Sequence, residues 1–323
     1  MRKFIRSIAL FIPFAIVIYI VFTLIWGLFI PQKLNKNLNY RIGTYGHMFT
    51  RLHEAKNVRE VDFLVLGSSH AYRGFDPRVF SQHGLVLFNL GSSNQTPIQS
   101  EILLKRFLKT MQPSRVIIEV NPFYFANDGV ESSVDIIANS RNDLLSIKMA
   151  LTINNQKTYN TLIYGLFRDL VGLNKSYVEK EIKSEDTYIT GGYVERQHET
   201  LQWKPTILES QAPNEKQTNA FSNIILMLHE MKIPLLLVQS PITQELYKTY
   251  ENRVQFDQEM RQSSTYINFN LEPALNDTLH FYDPEHMNQK GVEIFNQQLI
   301  FILQDSVLNG YNVQPEKAAQ KAR

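Results

Sequence analysis

Cysteine is absent from all 323 residues, which excludes disulfides, a thiolate nucleophile, zinc knuckles and iron–sulfur ligation. A charge excess is missing as well, since 33 Lys and Arg face 31 Asp and Glu. With no Lys/Arg cluster interleaved with aromatics, nothing is available to hold nucleic acid, which is set aside as a partner. No internal repeat or low-complexity tract is present. No two histidines and a carboxylate fall at metal-ligand spacing along the chain, so no metal and no other cofactor is expected.

What the chain does have is a 44% apolar fraction, enough for the core of one large domain or two small ones. The longest apolar run is at the start. Ile8 to Ile30, "IALFIPFAIVIYIVFTLIWGLFI", carries no charge and makes roughly 34 Å of helix at about 1.5 Å per residue, enough to cross a bilayer. A cleavable signal would have a shorter apolar region ending in small residues, whereas this one ends in Trp26 and Phe29-Ile30-Pro31, so an uncleaved single-pass anchor at residues 1–30 is expected. Arg2, Lys3 and Arg6 precede the run and Lys33, Lys36 and Arg41 follow it. The short basic stub is read as the cytoplasmic side, placing 31–323 in the periplasm or outside the cell.

Residues 31–60 are polar and basic and read as a stalk, with the folded unit starting near Val61 and running to 308. From there, short β-prone apolar runs recur: Val61–Gly67, Leu85–Gly91, Arg115–Asn121, Ile233–Ser240 and Thr265–Asn270. Fully apolar strands belong to a parallel sheet covered on both faces. Helix-like stretches, Pro97–Thr110, Thr218–Met231, Thr243–Arg261 and Gln289–Leu303, alternate with them. The expected fold is therefore α/β, a doubly wound, mainly parallel five-stranded sheet. One gap is too long for a crossover, and 126–232 is read as a helical inserted cap. Residues 309–323 are read as a solvated basic tail.

The run "VDFLVLGSSHAYRGFDP" delivers Gly67-Ser68-Ser69-His70 to the carboxyl edge of the first strand, where open α/β sheets bind ligands. A serine hydroxyl needs a base held by a carboxylate to react. Near the end of the chain, Asp283-Pro284-Glu285-His286 places a carboxylate three residues before an imidazole. Asp277-Thr278-Leu279-His280 and Glu195-Arg196-Gln197-His198 share that spacing. His280 falls in "TLHFY", which alternates like a strand, while His286 sits in a turn just before an amphipathic helix, so His286 is favoured as base.

These blocks resemble those of the SGNH (GDSL-like) hydrolases, in particular a membrane-anchored branch of that superfamily. The resemblance implies a nucleophile at Ser69, with Ser68 where the family has Asp, and implies that Asp283 and His286 complete a triad. "FNLGSSNQTP", residues 88–97, resembles the second block, with Asn94 in the place of the oxyanion glycine and Gly91 as the alternative donor. "RVIIEVNPFYF" resembles the third, with Asn121 two positions earlier than the family's Asn. His70 reads first as a packed loop histidine, and Arg73 as a partner of Asp76 or Glu119, with substrate contact the second reading for each. Trp203, Tyr188 and Tyr193 read as cap packing before a sugar site. The resemblance implies an anchored serine esterase or O-acyltransferase acting on ester-linked acyl groups of envelope glycans, beside a multi-pass membrane acyltransferase. The alternative is an inactive module that binds glycan or such a complex.

Overall fold

The computed structural model describes residues 1–198, 212–271 and 274–308. Five parallel strands form the central sheet: β1 (Phe63–Leu66), β2 (Leu87–Asn89), β3 (Arg115–Glu119), β7 (Leu235–Gln239) and β8 (Thr265–Asn268), in the order β2-β1-β3-β7-β8. Each lies inside one of the five apolar runs read from the sequence. Alternation explains why those runs are apolar throughout. Leu64 and Leu66 of β1 point into one core with Val116, Ile118 and Leu237, whereas Phe63 and Val65 point into the opposite core with Ile117, Leu236 and Val238. Both faces are covered, so polar residues are confined to the strand ends, as at Asn89, Glu119 and Gln239.

The first core is closed by α2 (Met48–Ala55), α5 (Pro97–Met111) and α10 (Glu215–Glu230), with Phe256 and Met260 of α12 (Arg253–Ser263). The second is closed by α3 (Ser69–Gly74), α4 (Pro77–Gln82) and α13 (Gln289–Leu308), with Phe75, Phe80 and Phe295 at its centre. Chain order switches direction between β1 and β3, so the loops after these strands diverge and leave the crevice in which such sheets bind ligands.

Two readings of the organisation are corrected. The stalk does not run to residue 60, because α2 packs Met48, Leu52 and Ala55 into the first core. Its Arg51 is fully buried and donates from Nε to the Gly192 carbonyl at 2.8 Å and from Nη1 to the Gly91 carbonyl at 2.9 Å. An arginine among apolar helix positions disguised this face as polar.

The insertion is not purely helical, either. After α6 (Pro122–Ala126), α7 (Val130–Asn139), α8 (Leu144–Ile153) and α9 (Gln156–Val171) comes an antiparallel sheet of β4 (Ile182–Lys183), β5 (Asp186–Ile189) and β6 (Tyr193–Arg196). The α10 helix, counted within the insertion by its boundary at 232, packs on α5 as a regular layer helix. Tyr188 donates to Glu54 and Tyr193 to Gln289 from buried rings. Trp203 lies outside the described residues, as does the tail at 309–323.

At the N-terminus, α1 (Arg2–Phe29) is a helix of 28 residues, long and apolar enough to cross a membrane. One stripe of it meets α9 through Tyr19 and Gly27, with Thr23 buried between them. Tyr19 donates to Asn160, and the ring of Tyr164 lies so close to Gly27 that a Cβ there would be 2.5 Å from it. The segment that follows is also fastened down, with Asn39 N–H on Thr161 Oγ1 at 3.0 Å and Asn160 Nδ2 on the Asn37 carbonyl at 3.0 Å.

Candidate active site

The strand β1 ends in a turn that only glycine fits. Gly67 has φ +144°, and a Cβ on it would lie 2.7 Å from Glu119 Cβ. Ser68 then caps α3, its Oγ accepting from His70 N–H at 3.2 Å. It also donates, through Oγ at 2.9 Å and N–H at 3.2 Å, to Glu119 Oε2. With the turn held at both ends, Ser69 is the first residue of α3 and its hydroxyl stands at the sheet edge.

Ser69 Oγ is 2.8 Å from His286 Nε2, across 217 residues of chain. His286 Nδ1 is 2.9 Å from both oxygens of Asp283. An Nδ1–H donating to the carboxylate leaves the Nε2 lone pair to accept the serine proton, which is the tautomer a general base needs. Asp283 Oδ1 also accepts from the backbone N–H groups of Glu285 and His286, each at 2.8 Å. Burial pushes the Asp283 carboxyl up, but the His286 hydrogen bond and these amides outweigh it and hold the group below its ordinary range. The Tyr282 ring stacks on His286 at 5.6 Å with 4° between planes, limiting rotation of the imidazole.

The two other acid–histidine pairs are used elsewhere. His280 is in a turn rather than a strand, its Nδ1 accepting from Asn276 N–H at 2.9 Å. Asp277 accepts from the Gln244 amide at 3.0 Å and does not hold His280. Glu195 pairs with Arg78, and His198 lies 3.4 Å from Glu185.

The Gly91 N–H and the side-chain amides of Asn94 and Asn121 are committed to the protein, whereas the backbone N–H of Asn94 has no protein partner among the described residues. Gly91 N–H donates to Asn89 Oδ1 at 2.9 Å, so it is not the alternative oxyanion donor. Asn94 adopts the left-handed conformation, φ 49°, and its Nδ2 donates to Glu131 at 2.8 Å. Asn121 caps α6, accepting from Phe123 N–H at 3.0 Å, and its Nδ2 meets the Tyr250 hydroxyl at 3.3 Å. Ser69 N–H remains without a protein partner among the described residues, at the end of β1 where an oxyanion donor would sit.

Arg73 is paired with neither Asp76 nor Glu119. Both its Nη groups bond Asp186 of β5, at 2.9 and 2.7 Å, in a fork that ties α3 to the insertion. Asp76 instead caps α4 through Arg78 N–H at 2.9 Å. His70 is buried against Glu119, Nδ1 to Oε1 3.5 Å. Burial pulls its pKa down, but Glu119 outweighs this and holds it above the ordinary imidazole value.

Sequence reasoning missed Glu119, which touches both neighbours of the serine. A single acid closing the otherwise apolar β3 run "RVIIE" was its available signal. Glu131 and Asp186 lie in the insertion, 37 and 113 residues from their partners Asn94 and Arg73, and left none. A cavity of about 310 Å³ lined by Tyr45, Asp128, Glu131 and Lys157 contains none of Ser69, Asp283 and His286.

No family model and no curated protein matches the chain. Among solved structures it is similar to a proposed acylhydrolase from Bacteroides fragilis, at 12% identity over 78% of this chain and 94% of that one, with a TM-score of 0.38. It is similar to a GDSL-like lipase from Bacteroides thetaiotaomicron at 12% identity over 79% and 98%, again with a TM-score of 0.38.

Proposed function

We propose that the protein is a membrane-anchored serine esterase or O-acyltransferase of the SGNH type, with Ser69 as nucleophile, His286 as base and Asp283 as its orienting carboxylate. The observation that supports this most directly is the continuous relay from Ser69 Oγ through His286 to Asp283, with contacts of 2.8 and 2.9 Å. Ser69 Oγ attacks the acyl carbonyl while its proton passes to His286 Nε2. The tetrahedral oxyanion is met by Ser69 N–H, and collapse releases the alcohol, which takes the proton from His286. Water or a glycan hydroxyl, deprotonated by the same imidazole, then removes the acyl group. Of the three blocks, the second and third depart from the family pattern, so an acyl group on an envelope glycan, and a multi-pass acyltransferase as partner, are parts of this proposal drawn from the resemblance alone.

The α1 helix supplies the anchor in this reading, with its basic N-terminal stub in the cytoplasm and the α/β domain on the far side of the membrane. A second reading, an inactive glycan-binding or complex-binding module, is favoured by the committed Gly91 N–H and the committed side-chain amides of Asn94 and Asn121. A fluorophosphonate probe on the purified chain separates the two. Labelling that disappears in Ser69→Ala supports the enzyme, and a wild-type chain that never labels supports the module.

A further inference from the structure

The triad leaves an unexplained imidazole beside it. His70 is 4% exposed, and its ring centre lies 5.3 Å from that of His286. Its Nδ1 faces Glu119 Oε1 at 3.5 Å as an ion-pair contact, and both of its ring nitrogens are buried with no hydrogen-bond partner. Glu119 is in turn fixed by the Oγ and N–H of Ser68. His286 also faces a carboxylate through Nδ1, there hydrogen-bonded to Asp283 at 2.9 Å, with Nε2 turned to Ser69. An imidazole whose one nitrogen is backed by a carboxylate, leaving the other as a lone pair, is the arrangement metal-binding histidines use. Here there are two of them in contact.

A third donor is adjacent. One ligand atom from each of His70, His286 and Glu285 lies within 4.8 Å of the other two. Two imidazoles and a carboxylate form a zinc donor set that leaves a fourth position open. Zinc at about 2.1 Å from each atom holds its ligands about 3.4 Å apart, so the widest pair has to close by up to about 1.4 Å. Glu285 is only half-buried, so its side chain has the freedom to supply that movement while the His286 ring stays in place.

We infer that His70, His286 and Glu285 form a binding site for a zinc-like divalent transition metal, and that the metal and Ser69 compete for His286. Coordination takes the same Nε2 lone pair that accepts the serine proton, so an occupied site has no base for Ser69. No bond other than the metal–ligand bonds forms, and nothing is oxidised or reduced. Magnesium and calcium, which select oxygen ligands, are excluded by the two imidazoles. The binding half of this inference stands by itself, and only the inhibition rests on the esterase reading.

The test uses the full chain in detergent with any affinity tag removed. Zinc chloride is titrated against a chromogenic chelator, and Ser69 labelling by fluorophosphonate is followed in parallel. The expected result is one zinc per chain, with affinity reduced roughly tenfold or more in both Glu285→Gln and His70→Gln. Labelling should fall with zinc occupancy in the wild type and persist in zinc-treated Glu285→Gln, while magnesium leaves both unchanged. Zinc affinity unchanged in Glu285→Gln, or full occupancy with undiminished labelling, overturns the inference. Should His70→Gln fail to fold, Glu285→Gln decides alone. A chain that never labels but loses its zinc in Glu285→Gln sustains the site and removes the esterase reading.

Discussion

The two imidazole–carboxylate pairs at the sheet edge share a chemistry and differ in setting. His286 and Asp283 belong to one turn, three residues apart, with side chains 15% and 34% exposed. His70 lies in α3, after β1, and Glu119 at the end of β3, with side chains 3% and 1% exposed. The first pair is assembled by local chain geometry and stays open to solvent. The second exists only once the sheet has formed, and each of its members is costly to bury without the other. Losing half of the first pair should therefore cost chemistry and spare the fold, and losing half of the second should do the reverse.

The largest effect expected is on labelling and ester hydrolysis in Ser69→Ala and His286→Ala, each lowered roughly 10³-fold or more with little change in melting temperature. His280→Ala is the control and should leave the rate within about twofold, because that ring touches Asn276 and not the serine. Equal loss in both histidine variants would break the assignment of the base.

Asp283→Asn should follow, with a rate drop on the order of 10²–10⁴ from loss of the correct tautomer. Because the folded carboxyl is held below its ordinary value, its stabilisation is present above about pH 4 and lost as pH falls through the depressed value. The stability gap between wild type and Asp283→Asn, read as the urea midpoint, should close only in acid.

Glu119→Gln sharpens the contrast, with an expected loss of about 3–5 kcal/mol in urea unfolding, since it strands His70 in the core. The pH dependence has the opposite sign. The folded His70 binds its proton more tightly than the unfolded chain does, so the stabilisation is full below the ordinary value of 6.5 and is lost as pH rises through the raised one. The gap between wild type and Glu119→Gln should narrow from about pH 6.5 upward. Ser68→Ala should show the smallest effect, about 1 kcal/mol for the lost cap, with labelling retained. A greater stability loss in His286→Ala than in Glu119→Gln would collapse the comparison.

The same division of local from long-range explains what could be read along the chain. The five strands were legible because both faces of β1, β3 and β7 are buried, which writes a continuous apolar run into the sequence. Asp283 and His286 were legible because three residues and one turn contain their whole relationship. The Gly67 turn was legible as punctuation, although its necessity comes from Glu119, 52 positions away, occupying the space a Cβ would need. Fates decided by distant partners were not readable: the Arg73 fork with Asp186, the Asn94 amide on Glu131, and the Arg51 bonds to Gly91 and Gly192. Each polar side chain offered several partners of equal plausibility, and only the topology chose among them. The β4–β6 sheet hid because its strands have two to four residues and half-exposed faces.

The Tyr19, Thr23 and Gly27 stripe on α9 has a mechanical consequence. Seventeen residues free between Ile30 and Met48 could stretch about 55–60 Å, a leash long enough to let a head group wander over a wide patch of membrane. Fastened along α1 and α9, the same residues behave as a bracket. In the proposed anchored enzyme, that bracket would hold Ser69 at one height and one bearing above the lipid, and its substrate would have to be brought to that spot.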